Sequence, residues 1–205
     1  MIAVIDYGLG NVRSIYAKFD QMGYPVQIIT DPSGLVKADK LVLPGVGFFS
    51  RGMQNLEKRG FVPVIRKMVE DEIPILGICL GMQLLTGWSE EGDYHGFSFI
   101  EGETVRIPSP SDSPLILPHM GWNTVAIVRD SPILKDVPDN SRFYHVHSYM
   151  VQCRNEEDIV GCSHYGVTFP SIIQKGNIFG VQFHPEKSHN QGLAILKNFA
   201  GCMHA

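Results

Sequence analysis

The stretch Pro74-Ile-Leu-Gly-Ile-Cys-Leu-Gly-Met-Gln-Leu-Leu85 decides how this chain is read. An apolar run, Ile75–Ile78, stops at a cysteine held between two glycines and resumes as the helix-like Leu80–Thr86. The short run suits a strand buried on both faces. A cysteine that merely fills core needs neither glycine. Gly77-x-Cys79-x-Gly81 is instead the cysteine form of a nucleophile elbow, the tight strand-to-helix turn that presents a reactive side chain. Cβ atoms on either side of such a turn would clash with helix or sheet, hence the glycines. A helix N-terminus beside the sulfur favours the thiolate, the form that attacks.

Outward from the elbow, strands and helices alternate. Ile2–Asp6 is a short apolar run followed by a Gly8-Leu-Gly10 turn. Val12, Ile15, Tyr16, Phe19 and Met22 then recur at helical spacing, with Gly23 as the stop. Pro25–Ile29 and Lys40–Leu43 read as strands, and Phe61–Glu70 as a helix with Pro63 tolerated in its first turn. This order predicts right-handed crossovers and a largely parallel sheet covered on both faces. Beyond a loop-rich Gly87–Gly102 segment and a Pro/Ser loop at Pro108–Pro114, β-like runs follow at Trp122–Val128, Arg142–Val146, Asp158–Cys162, Ser171–Gln174 and Phe179–Phe183. Leu193, Ile195, Leu196 and Phe199 mark a C-terminal helix. The expected fold is α/β: a three-layer αβα sandwich whose mainly parallel central sheet carries an antiparallel extension, one domain over residues 1–205.

Composition excludes several classes. The 205 residues are 44% hydrophobic and 19% charged, ordinary for a globular protein, with 17 basic against 21 acidic side chains. No basic block suits nucleic acid, no apolar stretch is long enough to cross a bilayer, and the N-terminal run lacks a signal peptide's basic region. The four cysteines form no C-x-x-C, which points to reduced thiols and a cytoplasmic location. Gly8-Leu-Gly10-Asn-Val-Arg13 has arginine where a dinucleotide fingerprint needs its third glycine. His145-Val-His147 has a spacing that can hold a metal on a strand, but no third ligand is evident, so neither metal nor cofactor is expected. His119, His164, His189 and His204 read as surface or satisfied core residues, and Cys153, Cys162 and Cys202 as small hydrophobes.

A thiolate nucleophile needs a base, and the base an orienting group. Gly180-Val-Gln-Phe-His-Pro-Glu-Lys-Ser188 offers both. His184 falls just past a strand-like run, and an extended backbone would point it to the same side as Glu186, two residues on. Pro185 between them disfavours helix at His184.

With Gln182-Phe-His-Pro-Glu-Lys-Ser188, the run Gly77-Ile-Cys-Leu-Gly-Met-Gln83 resembles the class I glutamine amidotransferases. Asp6-Tyr-Gly-Leu-Gly-Asn11, Leu43-Pro-Gly-Val-Gly47, Pro118-His-Met-Gly-Trp-Asn123 and Val146-His-Ser-Tyr149 narrow the likeness to the HisH family, the glutaminase subunits of imidazole glycerol phosphate synthase. The resemblance spans essentially the whole chain. It implies that Cys79 is the nucleophile, His184 the base and acid, and Glu186 the orienter, through a γ-glutamyl thioester. It also implies an oxyanion hole from the Leu80 N–H and the segment Gly45, Val46 and Gly47, with glutamine held by Gly47, Gln83, Ser148 and Tyr149. Glycines at 45 and 47 make peptide reorientation cheap, so this segment is expected to switch when a partner is loaded. The implied partner is a (β/α)8-barrel, HisF-like cyclase forming a heterodimer at Asn11, Trp122, Tyr144 and Lys187. Ammonia loses its nucleophilicity on protonation, so it must pass to that partner without meeting bulk water. One departure stands out: Gly96-Phe-Ser-Phe-Ile-Glu-Gly102 has Ser98 and Glu101 where the family usually has glycine and proline. Two alternatives share the same three residues: a paralogous ammonia donor for sugar amidination in surface-polysaccharide synthesis, and a stand-alone cysteine hydrolase active without partner.

Overall fold

Period-two alternation along the short N-terminal strands builds two cores on opposite faces of one sheet. In the computed structural model, which describes residues 1–109 and 114–202, the first half runs β1 (Ile2–Ile5), α1 (Val12–Gln21), β2 (Val26–Ile29), β3 (Lys40–Leu43), α2 (Phe49–Lys58), α3 (Phe61–Glu70), β4 (Ile75–Ile78) and α4 (Leu80–Leu84). Ile2, Val4, Val42, Leu76 and Ile78 face one side and pack with Ile15 and Phe19 of α1. Ala3, Ile5, Leu41, Leu43 and Ile75 face the other and meet Phe49, Met53 and Leu56 of α2, Phe61 and Ile65 of α3, and Leu80 and Leu84 of α4. A strand buried on both faces must be apolar at every position, which is why these runs carry no polar alternation.

The second half continues with β5 (Trp88–Ser89), β6 (Tyr94–His95), β7 (Gly102–Arg106), β8 (His119–Ile127), β9 (Ser141–His147), β10 (Tyr149–Cys153), β11 (Ile159–Tyr165), β12 (Val167–Lys175), β13 (Ile178–Val181) and α5 (His189–Gly201). Among the described residues, nine strands form the main sheet in the order β2-β1-β3-β4-β13-β12-β11-β8-β9. The first five are mutually parallel and the remaining pairings antiparallel. Ile195, Leu196 and Phe199 of α5 join the α1 face, completing helix, sheet and helix layers. The expected sandwich with its antiparallel extension is the observed one.

Three features differ from the sequence reading. Helix α2 was not anticipated, because its apolar residues are few and Gly52 interrupts them; that glycine lies against Leu84 and Leu80. Strands β7 and β10 were not anticipated either; they pair with each other and, with β5 and β6, form a second four-stranded sheet, order β10-β7-β5-β6. The departure at Gly96–Gly102 has a backbone consequence: Ser98 adopts φ +57°, a conformation glycine takes at less cost. Residues 110–113 of the expected Pro/Ser loop, and His204, lie outside the described residues.

Candidate active site

Cys79 sits between β4 and α4 with φ +55° and ψ −110°, a strained position for a non-glycine residue. Its N–H donates to the Val181 carbonyl at 2.8 Å, tying the turn to β13. The two flanking glycines have a measurable reason. A Cβ on Gly77 would come 2.5 Å from the Gly81 carbonyl oxygen, and one on Gly81 would overlap the Leu43 carbonyl of β3. The elbow therefore closes only with hydrogen at both positions.

Beyond this turn lies a cavity of about 310 Å³ lined by Val46, Gly47, Cys79, Leu80, Gln83, Glu91, Pro118 and Val146–Tyr149. The expected oxyanion and substrate residues Val46, Gly47, Leu80, Gln83, Ser148 and Tyr149 all line it. Gly45 does not, and its role differs from that of Gly47. A Cβ at 45 would lie 2.7 Å from Leu80 Cβ and from the Tyr7 hydroxyl, so this glycine permits close packing; Gly47 has φ +113°, and a Cβ there would come no nearer than 4.0 Å to Leu9. The Tyr7 hydroxyl also donates to the Pro44 carbonyl at 2.6 Å and clamps the segment from below. Burial, reinforced by the charge of Cys79, pushes the Tyr7 phenol far up, so it remains a donor.

His184 and Glu186 meet as expected, but not by strand alternation. His184 is extended at φ −98°, ψ 96°, and Pro185–Lys187 form a 3₁₀ turn that folds the carboxylate back. Nδ1 of His184 lies 2.9 Å from Glu186 Oε1. The His184 carbonyl accepts from the Ser188 hydroxyl at 2.6 Å, and the His184 N–H donates to the Tyr144 carbonyl at 2.9 Å. Burial alone would push the His184 pKa down; hydrogen bonding and charge from Cys79 and Glu186 overcome it and raise the value to about 10. The imidazole and sulfur are thus electrostatic neighbours, although Nε2 makes no hydrogen bond of ordinary geometry. The thiol instead points its weak donor at the Val146 carbonyl, 3.8 Å away. Loose contacts of this kind are usual before substrate binds.

Sequence reading missed other residues here. Gln182, fully buried, places its amide nitrogen 3.8 Å from Cys79 Sγ and accepts from Gln83 at 3.2 Å. Gln83 also donates to the Tyr149 carbonyl at 3.1 Å, joining α4 to the wall opposite. Glu91 lines the cavity, accepts from the Phe49 N–H at 2.8 Å, and has its pKa raised by burial. Its only sequence signal was an acidic residue in a loop-rich run.

Three of the four residues expected at a partner interface, Trp122, Tyr144 and Lys187, form one group. Trp122 is 38% exposed, stacks on His189 at 4.9 Å and meets Tyr144 edge-on, while the Lys187 ammonium lies 5.7 Å from the Tyr144 ring centroid. Asn11 caps no backbone group of α1; its side-chain oxygen accepts from the Ser14 hydroxyl at 2.8 Å. Val46, Phe48 and Met120 are exposed apolar side chains on the same molecule, the last 63% exposed.

The reading that His145 and His147 lack a third companion is corrected by strand pairing. β8 and β9 run antiparallel with His119 directly opposite His147, so His119, His145 and His147 share the inward face. Among the described residues these three form a group in which one ring nitrogen from each lies within 4.8 Å of the other two. His119 is therefore a buried core residue with ring partners, and His164 is exposed.

Comparison with known proteins extends these observations. The family model described as glutamine amidotransferase class-I matches residues 3–201. The chain is 46% identical over 199 residues to imidazole glycerol phosphate synthase subunit HisH of Moorella thermoacetica, covering 97% of this chain and 93% of the relative. It is 46% identical over 200 residues to subunit HisH 2 of the same synthase in Methanococcus maripaludis, covering 97% and 98%. Among solved structures, a chain of PurLQS from Thermotoga maritima superposes with TM-score 0.77 at 18% identity, covering 98% and 97%, a likeness of fold.

Proposed function

The chain belongs to the class I glutamine amidotransferase family, and from that membership we propose that it is the glutaminase subunit of an imidazole glycerol phosphate synthase, working in histidine biosynthesis. One observation carries the chemical part: Cys79, strained at φ +55°, faces a cavity and is coupled to an imidazole that a buried carboxylate holds at 2.9 Å. In this reading the thiol proton passes to His184, where the raised value of about 10 holds it, and Cys79 attacks as the thiolate at the side-chain amide carbon of glutamine. The tetrahedral oxyanion develops toward the Leu80 N–H and a backbone N–H of the Gly45–Gly47 segment. His184 then protonates the departing ammonia, leaving a γ-glutamyl thioester, and next activates the water that releases glutamate. Glu186 keeps the imidazole oriented throughout. The cavity-lining Glu91 carboxylate suits the amino group of the substrate, and Gln83, Ser148 and Tyr149 the rest of its amino-acid end.

The partner we propose is a (β/α)8-barrel cyclase docked over Asn11, Trp122, Tyr144 and Lys187 in a heterodimer. Exposed aromatic and apolar side chains at Trp122, Phe48 and Met120 support that reading, because such residues dominate interface energetics. Free rather than paired cysteines suit a reducing cytoplasm, and no helix among the described residues is long and apolar enough to cross a membrane. Residues 1–205 act as one domain. The test is glutamate release from glutamine by the chain alone and with a substrate-loaded barrel cyclase. Strong stimulation by the loaded partner, abolished by Cys79→Ala, is the expected result. Equal rates with and without partner would point to a stand-alone hydrolase, and survival of activity in Cys79→Ala would overturn the mechanism.

A further inference from the structure

We propose that His119, His145 and His147 form a binding site for one divalent transition-metal ion, zinc best matching the donor set, with a fourth position open to water or a small anion. The proposal rests on His145. Its ring is fully buried among Phe169, Phe183 and the two other imidazoles, yet neither Nδ1 nor Nε2 has a hydrogen-bond partner. A buried polar ring with both nitrogens unpaired is costly where phenylalanine would pack equally well. Coordination to an ion would satisfy one of those nitrogens.

The neighbours are already arranged as metal-binding histidines are. His147 Nδ1 donates to the Tyr149 carbonyl at 2.8 Å, which fixes the tautomer and turns the Nε2 lone pair toward His119. His119 Nδ1 lies 3.1 Å from that Nε2, and the far nitrogen of His119 meets the Asn123 side chain at 3.3 Å. Four-coordinate zinc with Zn–N bonds of about 2.0–2.1 Å separates ligand nitrogens by roughly 3.4 Å. The widest separation here, within 4.8 Å, then needs to close by only about 1.4 Å. The ion would displace the proton that His119 Nδ1 donates to His147 Nε2; that proton moves to His119 Nε2, which gives up its 3.3 Å contact with the Asn123 amide nitrogen, while that amide keeps its bond to the His164 carbonyl at 2.9 Å. His147 also lines the cavity beside Cys79, which gives an ion a way in.

The inference stands independently of the glutaminase reading. The test uses the untagged full chain carrying Cys79→Ala, which removes the one cavity thiol able to hold such an ion. The protein is stripped with a chelator and titrated with Co²⁺, then Zn²⁺. One equivalent of Co²⁺ should bind with the visible absorption of a four-coordinate nitrogen site and no thiolate charge-transfer band, and Zn²⁺ should displace it. His145→Phe, shown folded by a cooperative melt, should weaken binding at least 100-fold. In the chain retaining His145, ¹⁵N spectra of the imidazoles should shift at His119, His145 and His147 on adding Zn²⁺. Binding below one equivalent, binding unchanged in His145→Phe, or shifts confined to His95, His164 and His189 would each overturn the proposal.

Discussion

Two buried imidazoles near the same cavity, His184 and His147, titrate in opposite directions. Both are almost fully enclosed, at 1% and 6% exposure, so burial does not distinguish them. His184 has a carboxylate at 2.9 Å and a sulfur beyond its other nitrogen, which overcome burial and raise it to about 10; at His147 burial is opposed only by the Tyr149 carbonyl, and the value falls to about 3. What decides the proton's position is the charge of the partner rather than depth in the protein. The parallel half of the sheet thus carries a proton-holding pair, and the antiparallel half a cluster of neutral imidazoles, each with one unprotonated nitrogen for lone-pair donation.

The largest test of this contrast is Cys79→Ala. Glutaminase turnover should fall on the order of 10⁴-fold or more, read as glutamate release in the presence of the loaded partner. The same variant removes one of the causes that raise His184, so its imidazole should titrate below about 10 in ¹⁵N NMR. The sign for stability follows. A histidine whose folded value is raised stabilises the protein fully below its ordinary value near 6.5, and that contribution is lost as pH climbs through about 10. Cys79→Ala should narrow this window in pH-dependent melts; an unchanged His184 titration would break the proposed coupling.

Glu186→Gln comes next. It keeps the shape but removes the charge, and turnover should drop about 10²–10⁴-fold with little change in KM. Trp122→Ala should leave the chain folded while weakening the barrel partner about 30-fold, roughly 2 kcal/mol, measured by calorimetry. The smallest effect belongs to the other cluster. In chelator-treated protein, His145→Phe removes two unpaired buried nitrogens and should raise stability by about 1–3 kcal/mol in denaturant titrations. Added Zn²⁺ should reverse the order of the two proteins.

The same contrast explains what was legible in the sequence. The elbow, the bounds Phe61–Glu70 of α3 and the His184–Glu186 proximity are local, written in periodicity and in residues at most a turn apart. The histidine cluster is not local. His119 precedes His147 by 28 positions and meets it through the register of β8 on β9, which no short window contains. Strand β10 was hidden for a related reason: Tyr149 drew attention as a candidate glutamine contact, whereas its backbone pairs with Arg106 of β7. Helix α2 carries the expected spacing at Phe49, Met53 and Leu56, but Gly52 and its charged neighbours obscured the pattern. Glu91 and Gln182 became candidates only when folding put them beside the sulfur or in its cavity.

The Tyr7 hydroxyl, bonded to the Pro44 carbonyl, gives the neighbouring loop a fulcrum. Just past it the chain is wedged, since a Cβ at Gly45 would lie 2.7 Å from Leu80 and Tyr7; two residues on, Gly47 turns with Leu9 no nearer than 4.0 Å to a Cβ there, between two outward handles, Val46 at 41% exposure and Phe48 at 56%. Under the proposed function, a partner leaning on those handles would need to turn one torsion rather than bend a strand. Control of the chemistry would then require a reach of only a few residues, with the rest of the sheet left at rest.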